Sequence, residues 1–489
     1  ASLGAGRARL VQQVLVESGL LAIGSSLLGL LIARASVPAI VSLLSPADDP
    51  AYLDARVDWR VLAFTAIVGV VTMVLFGLAP AWKARSVAPI EVLKSGGGQK
   101  SGSARMFRPL IAAQIGVSGV VLFLAGLFLL SFQRLTQVDP GFVPDGVLLV
   151  SIDAKDRGGD AAQIGPALPR LRDDVRTLPG IEAAGVSSMR FFSGGAWRGS
   201  VRLPGGPPDA RESLWVEVTP GFFETMRIPL LRGRDFTAHD LDAAQSTAVV
   251  VNEAFAQQYF PGENPIGKRF NRVLPRQLVP QEIVGLVRST KYNNLRETPR
   301  PMIYLPFGGA QGGSLIVRTR LDAASAVTLL RGALPRVDAG LRVTSVTRQT
   351  TLIDNTVVRE RLLALLSGFF ALVSLVLAAV GLYGVLSYAV IRRTREIGIR
   401  LALGARRARV VRVVVADVTV VALAGLAAGL GGGLLLARWV STLLFEVRPT
   451  DVGSLLWPAA CLAAAAVLAA LPPAWRATRV DPLIALRWE

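Results

Sequence analysis

Long uncharged apolar runs constrain this chain more than any other feature, because a helix needs about 20 apolar residues to cross about 30 Å of hydrocarbon. Five runs meet that length, at 61–82, 109–133, 362–391, 418–437 and 452–475. A sixth, 18–33, is shorter and reaches spanning length if its helix starts near Val11, which carries Glu17 close to an interface. Such runs are too long for ordinary buried core helices. The expected fold is a polytopic α-helical membrane protein with about six transmembrane helices, at about 11–33, 61–82, 109–133, 362–391, 413–437 and 452–475.

The net charge of +18 would suggest nucleic acid in a soluble protein. Its distribution argues otherwise. With alternating spans and a cytoplasmic N-terminus, the inside segments are residues 1–10, 83–108, 392–412 and 476–489. They hold 19 basic and 4 acidic residues, against 34 and 31 in the rest of the chain. The excess is therefore topological, as the positive-inside rule requires, and no nucleic-acid partner is implied. The same orientation puts residues 134–361 outside as one large inserted domain.

The sequence also contains an internal repeat. Leu3-Gly4-Ala5-Gly6-Arg7-Ala8-Arg9-Leu10-Val11 recurs 400 residues later as Leu403-Gly404-Ala405-Arg406-Arg407-Ala408-Arg409-Val410-Val411. The register pairs Glu17 with Asp417 and Gly29 with Gly429, and Pro80-Ala81-Trp82-Lys83-Ala84 recurs as Pro473-Ala474-Trp475-Arg476-Ala477. Each copy is a basic segment, two spans and a basic tail. The second copy is preceded by a span, the outside domain and another span. The expectation is a tandem of two such units whose first lacks its front. Gly425, Gly429 and Gly433 lie on one helix face, and Ser25, Gly29 and Ala33 match them; small residues at this spacing let membrane helices approach closely.

At Arg395-Glu396-Ile397-Gly398-Ile399-Arg400-Leu401-Ala402-Leu403-Gly404-Ala405 the chain resembles the loop signature of FtsX/MacB-type ABC transporter permeases. Pro473-Ala474-Trp475-Arg476-Ala477 with Asp481-Pro482 resembles the end of that family's domain. In the outside region, Asp139-Pro140-Gly141-Phe142, Val218-Thr219-Pro220-Gly221-Phe222-Phe223 and Asn264-Pro265-Ile266-Gly267-Lys268-Arg269 resemble the MacB-type periplasmic core domain. With the repeat, the chain is most similar to the duplicated (acidobacterial duplicated orphan) permeases.

The resemblance implies an inserted mixed α/β domain of MacB periplasmic-core type at 134–361, its inserted subdomain at about 189–307. It divides the rest into a first FtsX-like unit at 1–108, a span at 109–133 and a second FtsX-like unit at 362–489. It implies a bacterial plasma (inner) membrane location. It also implies that the loop 392–412 couples to a separate cytoplasmic ABC ATPase, a LolD/MacB-like nucleotide-binding subunit, through Arg395, Glu396, Gly398, Arg400, Gly404 and Ala405. A periplasmic adaptor or a second permease would complete the assembly. Two other classes stay open: a non-transporting mechanotransmitter that activates an extracytoplasmic cell-wall enzyme, and an ATP-independent scaffold or receptor.

Read residue by residue, the loop is too basic for lipid, and Ile397, Ile399, Leu401 and Leu403 interleave with charged and small residues, suiting an interfacial element. Gly262-Glu263-Asn264-Pro265-Ile266-Gly267-Lys268 has P-loop spacing, but Arg269 stands where the Mg²⁺-binding hydroxyl belongs and the site is outside the membrane, so a turn is expected. Glu17 and Asp417 are carboxylates at membrane edges, open to functional roles or to plain ion pairs with Arg9 and Arg412. In the outer domain, strands are expected at 147–152 and 314–320, helices at 161–178 and 323–334, and loops at 194–206 and 307–313. No nucleophile–base arrangement or metal-ligand spacing stands out, so no catalytic residue, metal or cofactor is assigned. One cysteine, Cys461, excludes an intrachain disulfide, and the sole histidine, His239, reads as an exposed side chain.

Overall fold

The computed structural model describes residues 7–44, 58–86, 102–154, 164–206, 211–242, 246–275, 277–309, 312–338, 340–392, 394 and 407–478. The chain divides into two compact units, one of residues 1–131 with 361–489 and the other of 132–360.

The first unit is helical. Its elements are α1 (Arg7–Leu44), α2 (Trp59–Ser86), α3 (Gly102–Thr136), and, after the outer domain, the helices Val358–Arg392, Arg407–Val440 and Val452–Thr478. Among the described residues five helical stretches are long and apolar enough to cross a membrane: Leu15–Pro38, Pro109–Thr136, Val358–Ile391, Thr419–Leu443 and Val452–Arg476. On α2 the described apolar stretch is Trp59–Val74, shorter than a span, and side chains from 75 onward lie outside those described. Over half of the α3 span is buried, against at most 28% for the others, so α3 is the helix around which its neighbours pack.

The outer unit carries one eleven-stranded sheet with two differently built ends. At the first end β1 (Val147–Ala154), β2 (Ile181–Ser187), β10 (Ser314–Thr319) and β11 (Leu341–Arg348) run antiparallel in the order β11-β1-β10-β2. Helices α4 (Leu168–Arg176) and α8 (Ala323–Val337) supply Leu168, Leu171, Val175, Leu330 and Leu334 to one core with Val150, Val186 and Val317. Their spacing of three and four residues is the helical repeat that puts all five on inward faces. Asp322 starts α8 by accepting a hydrogen bond from the Ser325 N–H at 3.1 Å.

The other end is a closed barrel. Strands β3 (Arg198–Arg202), β4 (Arg211–Val218), β6 (Ala248–Asn252), β7 (Arg269–Leu274), β8 (Gln277–Val287) and β9 (Met302–Pro306) follow one another as β4-β3-β7-β8-β6-β9, and β9 returns to pair parallel with β4. Closure leaves only the short β5 (Leu230–Gly233) added on β8. Trp215, Phe255, Phe270, Val249, Val251 and Ile283 fill the interior. A single bridge, Ser187 to Val218, links the barrel to the four-stranded end.

Two local expectations are corrected. The glycine-rich stretch 194–206 is not wholly loop: β3 lies inside it, because Gly199 leaves room for the Trp215 indole, whose Nε1 would stand 2.1 Å from an added Cβ. The helix expected from 161 is a 3₁₀ turn at Gly165–Ala167 followed by α4, since Pro166 and Pro169 cannot donate inside a continuing helix; residues 161–163 lie outside the described set.

Candidate functional site

The residues that adjoin the two membrane helices flanking the outer domain meet on one loop, 288–297. On the α3 side lies Asp139-Pro140-Gly141-Phe142. The Asp139 Oδ1 accepts the Gly141 N–H at 2.8 Å, closing a turn, and its Oδ2 accepts Arg288 Nη2 at 2.7 Å. The Pro140 carbonyl accepts the Lys291 N–H at 2.8 Å. Gly141 has φ +87°, and a Cβ there would stand 2.3 Å from the Ser289 carbonyl oxygen, so only glycine fits. Phe142 is buried against Phe191 and Phe192, with ring centroids 5.5 and 6.1 Å away.

On the other side, α9 (Gln349–Thr356) leads into α10 (Val358–Arg392). Gln349, fully buried, donates from Nε2 to the Phe191 carbonyl at 3.1 Å, and Glu360 in the first turn of α10 pairs with Arg296 at 3.1 Å. The loop itself is stiff. The Glu297 carboxylate accepts the Tyr292 and Asn293 N–H groups, Lys291 Nζ donates to the Glu297 carbonyl, and the Tyr292 carbonyl accepts the Phe192 N–H at 2.7 Å. Its base is tied to the barrel, where Glu253 accepts the Ser289 N–H at 3.0 Å and Ser289 Oγ accepts the Ala254 N–H at 2.9 Å.

A second anchor is Arg318 on β10, 4% exposed. Its guanidinium donates to three carbonyls: Thr225 at 2.6 Å, Val143 at 2.6 Å and Asp145 at 2.7 Å. Burial, then the nearby Arg227 charge, pull its pKa below the ordinary arginine value. Thr219 and Pro220 work similarly, Thr219 Oγ1 accepting the Val186 N–H at 2.9 Å and the Pro220 carbonyl accepting Arg172 Nη1 at 3.1 Å. Burial, then the Glu297 charge, push Tyr292 up to about 12, so it stays neutral and serves as packing. Each of these groups holds backbone or side chains in position.

The P-loop-like segment is a turn. Gly262 and Gly267 take φ +76° and +81°, Lys268 pairs with Glu263 at 2.8 Å, and Arg269 with Glu282 at 2.7 Å.

Within the membrane unit, Gly425, Gly429 and Gly433 lie on α11 (Arg407–Val440) against α3. A Cβ would stand 2.7 Å from the Ala112 carbonyl oxygen at Gly425, 2.6 Å from that of Gly116 at Gly429, and 2.6 Å from the Phe123 ring at Gly433. Sequence reasoning did not single out the partner positions Gly116 and Gly119. It also passed over Gln114 and Ser118, which donate to the Leu377 and Ser374 carbonyls of α10 at 2.8 and 3.1 Å. Polar residues inside an apolar run were the available signal. Ser25, Gly29 and Ala33 are exposed on α1, beside α2; Ser25 donates to the Ala22 carbonyl of its own helix at 3.0 Å, and a Cβ on Gly29 would meet nothing within 4 Å.

Glu17 is exposed on α1; the side chains of Asp417, Arg9 and Arg412 lie outside those described. The loop residues Arg395, Glu396, Gly398, Arg400, Gly404 and Ala405 also lie outside the described residues.

The fold thus defines a polytopic α-helical membrane protein with an inserted extracytoplasmic α/β domain. The FtsX-like permease C-terminal model matches residues 1–89 and 368–482, and the MacB-like periplasmic core domain model matches 111–335. The chain is built of these two domain types and is homologous to MacB- and PvdT-type permease proteins. It is 28% identical over 429 residues to a macrolide export ATP-binding/permease protein MacB from Rhodospirillum rubrum, covering 82% of this chain and 60% of the relative. It is 24% identical over 417 residues to a pyoverdine export ATP-binding/permease protein PvdT from Pseudomonas entomophila, covering 78% and 57%. The chain therefore spans less than two thirds of either relative. The crystallised periplasmic region of MacB from Actinobacillus actinomycetemcomitans aligns over 45% of this chain and 96% of its own length, with 15% identity and a TM-score of 0.31.

Proposed function

We propose that this chain is the permease component of an ABC-type efflux system, driven by an ATPase carried on another polypeptide. Homology to export permeases supports the class. The observation that carries the mechanism is the loop 288–297, gripped by Asp139 and Pro140 next to α3 and by Glu360 at the start of α10. A relative shift of those two helices would strain two ends of one stiff loop that is bonded to the barrel. The barrel would move as a body, because packed elements rearrange between discrete states rather than stretch.

In this reading the cytoplasmic loop 392–412 receives ATPase closure through Glu396 and Arg400. The substrate is engaged at the outer domain or outer leaflet. The internal repeat supports the duplicated-permease subfamily, in which two permease units share one polypeptide. The same geometry would also serve a mechanotransmitter acting on an extracytoplasmic enzyme; homology to two export proteins favours efflux.

The test is co-purification of the full-length protein in nanodiscs with ABC ATPases from the same cell. An associated ATPase whose turnover rises in the complex is expected. Failure of every such ATPase to bind would leave the scaffold reading in its place.

A further inference from the structure

Independently of the ATPase-driven reading, one half-buried cation inside the barrel of the outer unit has no acceptor for its N–H groups. Arg272 lies on β7 directly opposite Val201 of β3, and side chains directly opposite one another in a sheet share a face. Val201 belongs to the barrel core, as does Phe270, two residues before Arg272 on the same strand, so Arg272 also points inward. Trp197 and Gly199 precede Val201 at the same two-residue spacing. The Trp215 N–H of β4 donates to the Trp197 carbonyl at 2.9 Å, which carries the strand pairing on to Trp197. Glu217 follows Trp215 by two residues and shares its face. Trp197, Trp215, Glu217 and Arg272 therefore belong to one inner surface.

The Arg272 guanidinium sits in the angle between two indoles, 4.8 Å from the Trp197 ring centroid and 5.2 Å from that of Trp215, with the rings 6.4 Å apart. The rings attract its charge but supply no oxygen to its N–H fork. Among the described residues it makes no hydrogen bond or ion pair. Glu217 is near enough for its charge to act on Arg272, yet its carboxylate accepts the Gly308 N–H at 3.2 Å instead of touching the guanidinium. Burial is the first influence on both groups, lowering Arg272 and raising Glu217 from their ordinary values. Trp215 and Phe270 are buried, whereas Trp197, Glu217 and Arg272 are half-buried, so the cluster opens to solvent through these three.

We propose that this cluster binds an oxyanion, the carboxylate or phosphate of a small molecule, on the Arg272 fork with the rest of the molecule against the Trp197 indole. A bidentate pair satisfies two guanidinium donors at once. The pairing is stronger than in open water, because burial has already removed part of the solvent from Arg272. A cationic ligand does not suit the site, since Arg272 repels it and the Glu217 carboxylate is engaged by Gly308. Glu217 limits the affinity, because its ionised form repels the same oxyanion.

The test is fluorine NMR of the full chain in a neutral detergent, with para-fluorobenzoate and para-fluorophenyl phosphate as probes and para-fluorobenzamide as the uncharged control. Saturable line broadening is expected for at least one anion and not for the amide, and the anion that binds identifies the group. Arg272→Gln should weaken that binding about tenfold or more. Arg269→Gln, whose side chain is exposed on the outer face of β7 and paired with Glu282, should leave it unchanged. Glu217→Gln keeps an acceptor for the Gly308 N–H, removes the like charge and should tighten binding about threefold or more. If Arg272→Gln fails to fold, that tightening alone decides. No binding of either anion, equal binding of the amide, or unchanged affinity in Arg272→Gln or in Glu217→Gln would each overturn the assignment.

Discussion

Replacing Gly429 with valine tests the helix packing at its tightest point. The added Cβ stands 2.6 Å from the Gly116 carbonyl oxygen and 3.1 Å from the Gly119 Cα, against 3.4 Å for ordinary contact. Both neighbours are backbone, so no rotamer change relieves the clash. The helices must separate by about 0.8 Å, the shortfall from 3.4 Å. Overpacking of this kind costs about 1–3 kcal/mol. The helix-propensity gain on removing a glycine, up to about 1 kcal/mol, offsets only part of it. Gly431, two residues away on the same helix, supplies the control, since a Cβ there meets nothing within 4 Å. Unfolding in bicelles by rising sodium dodecyl sulfate should show Gly429→Val destabilised by about 1–2 kcal/mol. Gly431→Val should stay within about 0.5 kcal/mol of wild type. Equal stability of the two variants would refute close α3–α11 packing as the reason for these glycines.

Three further outcomes are expected. Arg318→Met strips the buried Thr225 carbonyl and the part-buried Val143 and Asp145 carbonyls of their donor and should cost about 2–3 kcal/mol, read as faster hydrogen exchange across residues 143–146 and 222–226 in the full chain. Burial, the largest influence on Glu217, raises its carboxyl pKa against the opposing Gly308 N–H and Arg272 charge; the fold favours its protonated form, so this stability is full below the ordinary carboxylate range and is lost as pH rises through the raised value. Glu217→Gln should therefore flatten the pH dependence of exchange in β4 and raise protection at pH 7. The hydrogen bond from Arg234, the first of several, lowers Asp240 to about 2. Stability from that pair is present above about pH 4 and disappears as pH falls through about 2, so Asp240→Asn should lose about 1–2 kcal/mol at pH 7 and nothing further on acidification.

Much of this architecture is legible in the sequence because a bilayer imposes length and apolarity on every span and charge on every cytoplasmic loop. Strands β1 and β10 and helix α8 also stand out, as their apolar residues recur at two or at three to four residues. The barrel is harder to read. β3 hides in a glycine-rich stretch because Gly199 is needed against the Trp215 indole from another strand, a contact that only the tertiary fold supplies. The loop 288–297 has no periodicity, and its importance lies in what it touches. Asp139-Pro140-Gly141-Phe142 illustrates the difference. The sequence marks it as a family-like motif, whereas in the structure its four residues do four different things. Asp139 closes a turn and an ion pair, Pro140 offers its carbonyl, Gly141 permits the close approach of Ser289, and Phe142 packs among aromatic rings.

The most direct test of the proposed coupling is hydrogen exchange of residues 288–297 in the protein reconstituted with a co-purifying ABC ATPase, before and after adding ATP. Wild type is expected to change protection in that loop on ATP binding, and a Glu396→Ala, Arg400→Ala variant that still binds the ATPase is expected to lose the change. Identical exchange with and without ATP in wild type, or an unaltered response in the variant, would contradict transmission from the cytoplasmic loop to the outer domain.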